Sequence, residues 1–376
     1  MRKSLLASAV LAAIAVPALA DSVTLYGQAN AAFISAKKDA GAGGLRTNRV
    51  DAGGDLNTPS RFGLKGEEDL GGGLKAFFQV EQAVALDDGG ADGNTSNRFA
   101  DREGWVGLSG DFGKFGLGRG KTPYTNLADT FDSSVDGFNN LAIYNVDNIF
   151  KTDTSVAAPG STTATDPSAS SITRTSGVIT KRFNNSIRYD SPNIEGFRIA
   201  ADYGLGENKT SSTNATNYFS VGANYTAGAL FIGAAYNDET NLPGALGAAG
   251  SSNNKHDAWL LAGTYSLDTL KFGLGYQAAK QDLGTNEYKR DAFVASVSYG
   301  LGQTTLKAGA IFFGKQKLNG ADVTDSEFTR YSVGAKYAFS KMTSAFAEYS
   351  GDSVKSSYKA KQAEVDGLSL GLMHAF

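Results

Sequence analysis

The stretch with the most chemical promise is Phe115 to Tyr124, "FGLGRGKTPY". Its "GRGKT" looks like a phosphate-cradling loop, in which backbone N–H groups wrap the phosphates and a lysine reaches the outer ones when the spacing is G-x-x-x-x-G-K-[ST]. Counting back from Gly120, the first glycine of that pattern should stand at position 115, which is Phe115; Gly116 is one place too close. Such a loop must also open a helix, yet Pro123 and Tyr124 follow at once, and no apolar i, i+3, i+4 pattern develops as far as Ser134. The stretch therefore reads as a strand end running into a loop. Other site chemistry has little material. The chain has no Cys, which excludes disulfides and thiolate metal sites, and its two histidines, His256 and His374, are too few for a histidine metal cluster.

The elements that position this stretch begin after a leader. "MRKSLLASAVLAAIAVPALA" has a basic start at Arg2 and Lys3, an apolar run from Leu5 to Val16 and a small-residue finish. That pattern predicts a secretory signal peptide over 1–20, too short to span a membrane, with the exported chain starting at Asp21. The 35 basic and 38 acidic residues leave about −5 once Arg2 and Lys3 are removed, which gives no hint of a nucleic-acid partner. Glycine, at 46 of 376 residues, is well above the usual ~7%. After the leader no apolar stretch approaches 18 residues, which excludes spanning helices, and no segment carries a convincing amphipathic helical period.

What recurs is alternation. "SRFGLKGEEDL" sets Phe62 and Leu64 against Arg61, Lys65 and Glu67; "KRFNNSIRYDSP" sets Phe183, Ile187 and Tyr189 against Arg182, Asn184, Ser186 and Arg188. "FRIAADYG", "RYSVGAKYAF" and the final "GLSLGLMHAF" repeat the arrangement. Sixteen strands follow, from Ser22–Ala36 to Glu364–Phe376, with Arg98–Ser109 as the fourth, Lys114–Arg119 as the fifth and Lys181–Asp190 as the sixth. A soluble sandwich would also alternate. Aromatic residues near the segment ends, an even count, and very short connections ("DLGGGLK", "SPNIEGF", "FSKMT") alternating with long polar ones instead predict a closed transmembrane β-barrel. Sixteen strands enclose an aqueous lumen where eight would be filled by side chains. Residues 121–180 form one connection of about sixty residues, its second half the low-complexity "TDTSVAAPGSTTATDPSASSITRTSG". A loop of that length is functional or disordered, and the expectation is an ordered first part and a solvated Ser/Thr-rich insertion.

With these residues in view, the chain resembles the trimeric general porins of the Gram-negative outer membrane, in particular the neisserial and beta-proteobacterial branch. The likeness is carried by "SVTLYG", "SRFGLKGEEDLGGGLKAFFQVE", "REGWVGLSGDFGKFGLGR", "NNSIRYDSP" and "GLMHAF", which cover the exported chain in order. The resemblance implies a sixteen-stranded antiparallel barrel with short periplasmic turns and a third loop folded into the lumen, faced by a basic wall. Carried over by position, that wall is Arg61, Lys65, Arg119 and Arg182, and the acidic loop partners are Asp129, Asp132 and Asp136. Parity independently places Arg61, Lys65 and Arg182 inward. Arg119 shares parity with Phe115 and Leu117, so it turns inward only if Gly118 and Gly120 break the alternation. The Pro-Glu-Phe-Gly-type loop tip of the enterobacterial members is absent. Phe376, preceded by Leu368, Leu370 and Leu372, resembles the signal read by the barrel assembly machinery.

The function expected is passive diffusion of ions and small hydrophilic solutes, with a lean toward anions. The resemblance further implies a homotrimer among outer-membrane lipids and lipopolysaccharide, with no cofactor, no metal and no nucleic acid. A substrate-specific channel is the alternative; it would need aromatic residues in the lumen, for which Tyr26 and Phe77 are among few inward candidates. An outer-wall hydrolase is the remaining class. His374 reads as lipid-facing without a serine partner, and His256 as part of an external loop.

Overall fold

The computed structural model describes residues 22–39, 44–52, 56, 58–87, 99–131, 179–242, 254–284, 286–359 and 364–376. The expected leader, most of residues 121–180, and Asp132 and Asp136 within that span therefore lie outside the described residues.

Nineteen strands among the described residues form one sheet in which all pairings are antiparallel. They are β1 (Ser22–Asp39), β2 (Leu45–Asp51), β3 (Arg61–Gly71), β4 (Leu74–Ala83), β5 (Glu103–Gly110), β6 (Gly113–Lys121), β7 (Arg182–Asp190), β8 (Phe197–Leu205) and β9 (Asn217–Ala227), followed by β10 (Leu230–Leu242), β11 (Asn254–Leu267), β12 (Leu270–Asp282), β13 (Glu287–Leu301), β14 (Thr304–Phe313), β15 (Lys317–Leu318), β16 (Ala321–Asp322), β17 (Phe328–Ala338), β18 (Thr343–Val354) and β19 (Glu364–Ala375). β2 pairs with the second half of β1 and β3 with its first half, so the two act as one wall strand; β15 and β16 are a small hairpin beside β13. The wall therefore has sixteen strands, as the alternation predicts. It is closed by β1 against β19, in register from Gln28 opposite Ala375 to Asp39 opposite Glu364. Closure satisfies every edge, which a hydrocarbon surround demands.

The outward face is apolar, with aromatic residues in two belts. Phe115, Tyr189, Phe197, Tyr265, Phe272, Tyr299 and Tyr337 stand exposed near the short turns; Trp259, Tyr276, Phe293, Phe312 and Tyr349 stand exposed toward the long connections. Rings with an apolar body and, for Tyr and Trp, a polar tip sit well at the two bilayer interfaces. Inward positions are polar or small, apart from apolar side chains such as Leu260 and Val294 on which the loop segment packs. At the seam, the Gly27 N–H donates to the Phe376 carbonyl at 2.9 Å, and the Phe376 N–H donates back at 3.0 Å. The Phe376 ring lies over Gly27, where a Cβ would collide with it.

Four local features depart from the sequence reading. The strand expected from Arg98 begins at Glu103, because residues 99–102 turn through Ala100 at φ +62°. The hairpin formed by β2 was not anticipated. In β7, Asn185 at φ +49° interrupts the alternation, so Phe183, read as lipid-facing, has no exposure and packs on Tyr218 with ring centroids 5.0 Å apart. Finally, the segment after β6 does enter a helix, α1 (Pro123–Ala128), followed by a 3₁₀ turn at Asp129–Phe131. Thr122 caps α1 by accepting from the Thr125 N–H at 3.1 Å, and Pro123 sits in its first turn, where its missing donor costs nothing.

Candidate functional site

The barrel interior has two unlike walls. On the β3–β7 side, Arg61 and Lys65 lie on the parity opposite exposed Phe62 and Leu64, hence inward. Register then carries the inner face across the sheet: Gly63 stands opposite Glu81, Lys65 opposite Gln79, Gln79 opposite Trp105, and Glu81 opposite Glu103. Two carboxylates organise three guanidinium groups here. Glu81 accepts from Arg102 Nε at 2.6 Å and from Tyr26 Oη at 3.1 Å, with Arg61 Nε at 3.7 Å. Glu103 accepts from Trp105 Nε1 at 2.9 Å and faces Arg182 Nε at 3.5 Å. Arg61, Arg102 and Arg182 lie within electrostatic reach of one another. Three cations against two anions leave a positive surplus. Lys65 adds to it from the next inner position, its Nζ 5.3 Å from the Tyr26 ring centroid.

Arg119 takes a different course. It stands opposite Gly104 on the outward parity of Phe115 and Leu117, its Nε donating to the Asp101 carbonyl at 2.7 Å and its guanidinium to the Asn184 side chain. A register shift does occur between Gly118 and Gly120, but Arg119 sits inside it and keeps its outward pairing. Gly118 itself is at φ +148°, and a Cβ there would strike the Gly104 backbone. The glycines of "GLGRG" serve another residue: the Trp105 indole lies along the backbone they leave bare, close to Gly116 and Gly120.

The opposite wall, β9–β13, receives the start of the long loop. The Tyr124 N–H donates to Ser220 Oγ at 3.2 Å, Gln277 donates to the Tyr124 hydroxyl, and Lys271 Nζ donates to the Thr130 carbonyl at 3.3 Å. Leu127 rests over Gly233, where a Cβ would stand 2.6 Å from Leu127 Cδ1, and Pro123 rests over Gly222. Tyr124, Leu127 and Ala128 join Ala235, Leu260 and Val294 in one apolar cluster. The returning end is held at Glu239, which accepts from the Thr180 N–H at 2.6 Å, from its hydroxyl at 2.9 Å and from Asn237 Nδ2 at 3.0 Å. Asp129, at the end of α1, is bound by Lys121 Nζ at 2.6 Å.

Of the residues singled out by sequence, the fold thus gathers Arg61, Lys65 and Arg182 on one inner wall, ties Asp129 to Lys121 at the loop's start, and holds Arg119 outside the group. The sequence reading missed Arg102, Glu81, Glu103 and Lys121. Glu81 was legible as an inward position two residues after Gln79; Arg102 was hidden inside a supposed strand. No group of three or more His, Asp or Glu side chains capable of holding a metal occurs among the described residues. His374 faces outward and bonds Thr343 Oγ1 at 2.9 Å. His256, read as a loop residue, lies buried in β11 opposite Glu239.

Comparison with known proteins places this geometry. A family model described as Gram-negative porin matches residues 7–357. The major outer membrane protein P.IB of Neisseria meningitidis is 30% identical over 354 residues, covering 92% of this chain and 91% of the relative. Outer membrane porin protein 32 of Delftia acidovorans is 30% identical over 367 residues, covering 92% and 88%. Among solved structures, an anion-selective porin from Comamonas acidovorans superposes with a TM-score of 0.73 at 24% identity, covering 94% of this chain and 99% of that one. OmpT of Vibrio cholerae, solved in a trimer form, superposes with a TM-score of 0.64 at 18% identity, covering 94% and 99%.

Proposed function

The chain belongs to the Gram-negative porin family, and on that premise we propose that its barrel is a general diffusion channel whose selectivity for anions is set by the arginine-rich inner wall. It is an outer-membrane protein that crosses by its strands, and the family is one of channels rather than of enzymes. The observation that carries the reading is the imbalance of the inner wall, where among the described residues Arg61, Arg102 and Arg182 form ion pairs with two carboxylates, Glu81 and Glu103. Rings of fixed cations favour anion passage, because a permeating anion exchanges part of its hydration for a fixed positive field in a confined path. Glu81 and Glu103 do not cancel that field: Glu81 fixes the Arg102 guanidinium through a hydrogen bond and Glu103 stands at ion-pair distance from Arg182, so the surplus is preorganised. The anion-selective porin from Comamonas supports the same sign.

The loop carboxylates Asp129, Asp132 and Asp136 are proposed to oppose this wall and create a transverse field, with Asp129 attenuated by its bond to Lys121. Arg119 is assigned a structural part at the rim. We further propose a homotrimer embedded in outer-membrane lipid and lipopolysaccharide, assembled through recognition of the last strand and Phe376; the trimer form of the Vibrio neighbour supports the stoichiometry.

The deciding measurement is the reversal potential of the purified protein in a planar bilayer under a KCl gradient. An anion-signed potential with stepwise, ohmic conductance is expected. A cation-signed potential would transfer control to the loop carboxylates, and absence of conductance would remove the channel reading.

A further inference from the structure

Just on the short-turn side of the arginine group, a cavity of about 290 Å³ opens in the inner wall. It is lined by Phe77, Trp105, Lys114, Lys121 and Arg188, with Glu103 and Asp190 at its margins. Its two rings converge on one point: a Cβ at Gly116 would stand 3.3 Å from both Phe77 Cζ and Trp105 Cε3. The indole is fixed there by its bond to Glu103 and by the glycine backbone beneath it. An aromatic plane held in the water-filled path of a channel is a stacking platform with its entropy already lost.

The charges around it are not equivalent. Arg188 is consumed: it holds Asp190 through two bonds of 2.6 and 2.9 Å and donates to the Lys121 carbonyl at 2.6 Å. Lys121 is bound to Asp129. Glu103 is held by Trp105 and Arg182. Lys114 differs, because its Nζ lies 3.9 Å from the Phe77 ring centroid and no carboxylate among the described residues stands within ion-pair distance. Asp190, opposite it in register, is already taken by Arg188. A cation parked on a ring face, beside a second fixed ring, can be engaged by an incoming anion without breaking an existing salt bridge.

We propose that this cavity is a binding subsite for a small planar aromatic carboxylate, its ring stacked on Trp105 and its carboxylate on Lys114 Nζ. The volume lies just below the usual range of ligand pockets, about 300–1,000 Å³, and suits a single ring. The subsite deepens the channel reading and rests on it: an anion-permeable pore would acquire a preference within anions, for those that carry a ring.

Trp105 and Trp259 are the two tryptophans of the chain, and Trp259 faces outward with 56% exposure, so Trp259→Phe leaves Trp105 as sole reporter. In that background, sodium benzoate at constant ionic strength should change Trp105 emission saturably and reduce single-channel chloride current with the same midpoint, while sodium acetate does neither. Lys114→Gln should raise the midpoint about tenfold, the scale of one charge-assisted contact, and Trp105→Leu should abolish the benzoate-specific current block. Lys341→Gln, in another short turn, should leave the midpoint unchanged. A response to benzoate no different from acetate, or one unaltered by Lys114→Gln, would overturn the subsite. Emission reports binding independently of current, so a protein that conducts KCl normally but ignores benzoate refutes the subsite alone, whereas one that does not conduct refutes the channel.

Discussion

The two inner walls use the same parity for opposite ends. Across β3–β7 the inward positions carry Arg61, Glu81, Glu103 and, beside them, Arg102 and Arg182, a network in which long side chains reach into the lumen. Across β9–β13 the corresponding positions are Ser220, Gly222, Gly233, Ala235, Ala262 and Gln277, and the space they leave is taken by α1. One wall concentrates fixed charge; the other makes room for the segment that packs on it. The difference predicts that lumen width and lumen charge are separable in this sequence, because one depends on what is missing beyond Cα and the other on what is added.

Reversing charge on the first wall should produce the largest change. Arg102→Glu with Arg182→Glu converts the surplus to a deficit, and the KCl reversal potential should change sign from anion to cation while strand content is kept. Retention of the anion sign would show that the field originates elsewhere. Filling the second wall should act on packing instead: Gly233→Leu collides with Leu127, and overpacking of this kind costs about 1–3 kcal/mol. The expected outcome is a lower thermal transition in detergent and altered unit conductance with an unchanged sign of selectivity; a sign change would break the separation of roles.

The smallest effect should come from charges outside the lumen. Lys355 bonds Asp325 at 3.3 Å and also Glu327. Ser357 and then Lys355 hold the Asp325 carboxyl below its ordinary 3.8, and Lys355 holds Glu327 below its ordinary 4.5. Carboxyl groups with lowered folded values contribute above their unfolded values and lose that contribution as pH falls through the folded ones. Hydrogen exchange at residues 355–359 should therefore accelerate only below about pH 4, and Lys355→Gln should mimic this at neutral pH with no shift in reversal potential. A shift would mean that external charge reaches the permeation path.

Much of this contrast was legible in the chain, and the illegible part has a common cause. Arg61 and Lys65 were placed inward because Phe62 and Leu64 flank them on an uninterrupted strand. Arg182 and Phe183 were harder: Asn185 inserts a left-handed residue, and parity cannot be counted through a bulge. Arg102 and the role of Glu81 depend on which strands become neighbours, and so on register across residues about twenty positions apart, which alternation does not encode. α1 escaped notice because six residues hold fewer than two helical turns, too short for a period to declare itself. Its capping threonine and Pro123 were the available signal, and the proline was read as a stop rather than a start.

The seam between β1 and β19 has a kinetic consequence. Apart from β6 and β7, which are joined through the long connection after Lys121, every other neighbour in the sixteen-strand ring follows its partner after a short or moderate connection and can close locally, whereas Gln28 and Ala375 meet across nearly the whole polypeptide. Loop-closure entropy must be met before a contact of that separation returns any energy. The fourteen local pairings can therefore zip in any order, and the ring becomes a ring only in its final event. Until then the sheet carries two raw edges, and the molecule is most open to pairing with a wrong strand at the same place where, once joined, it no longer has an edge at all.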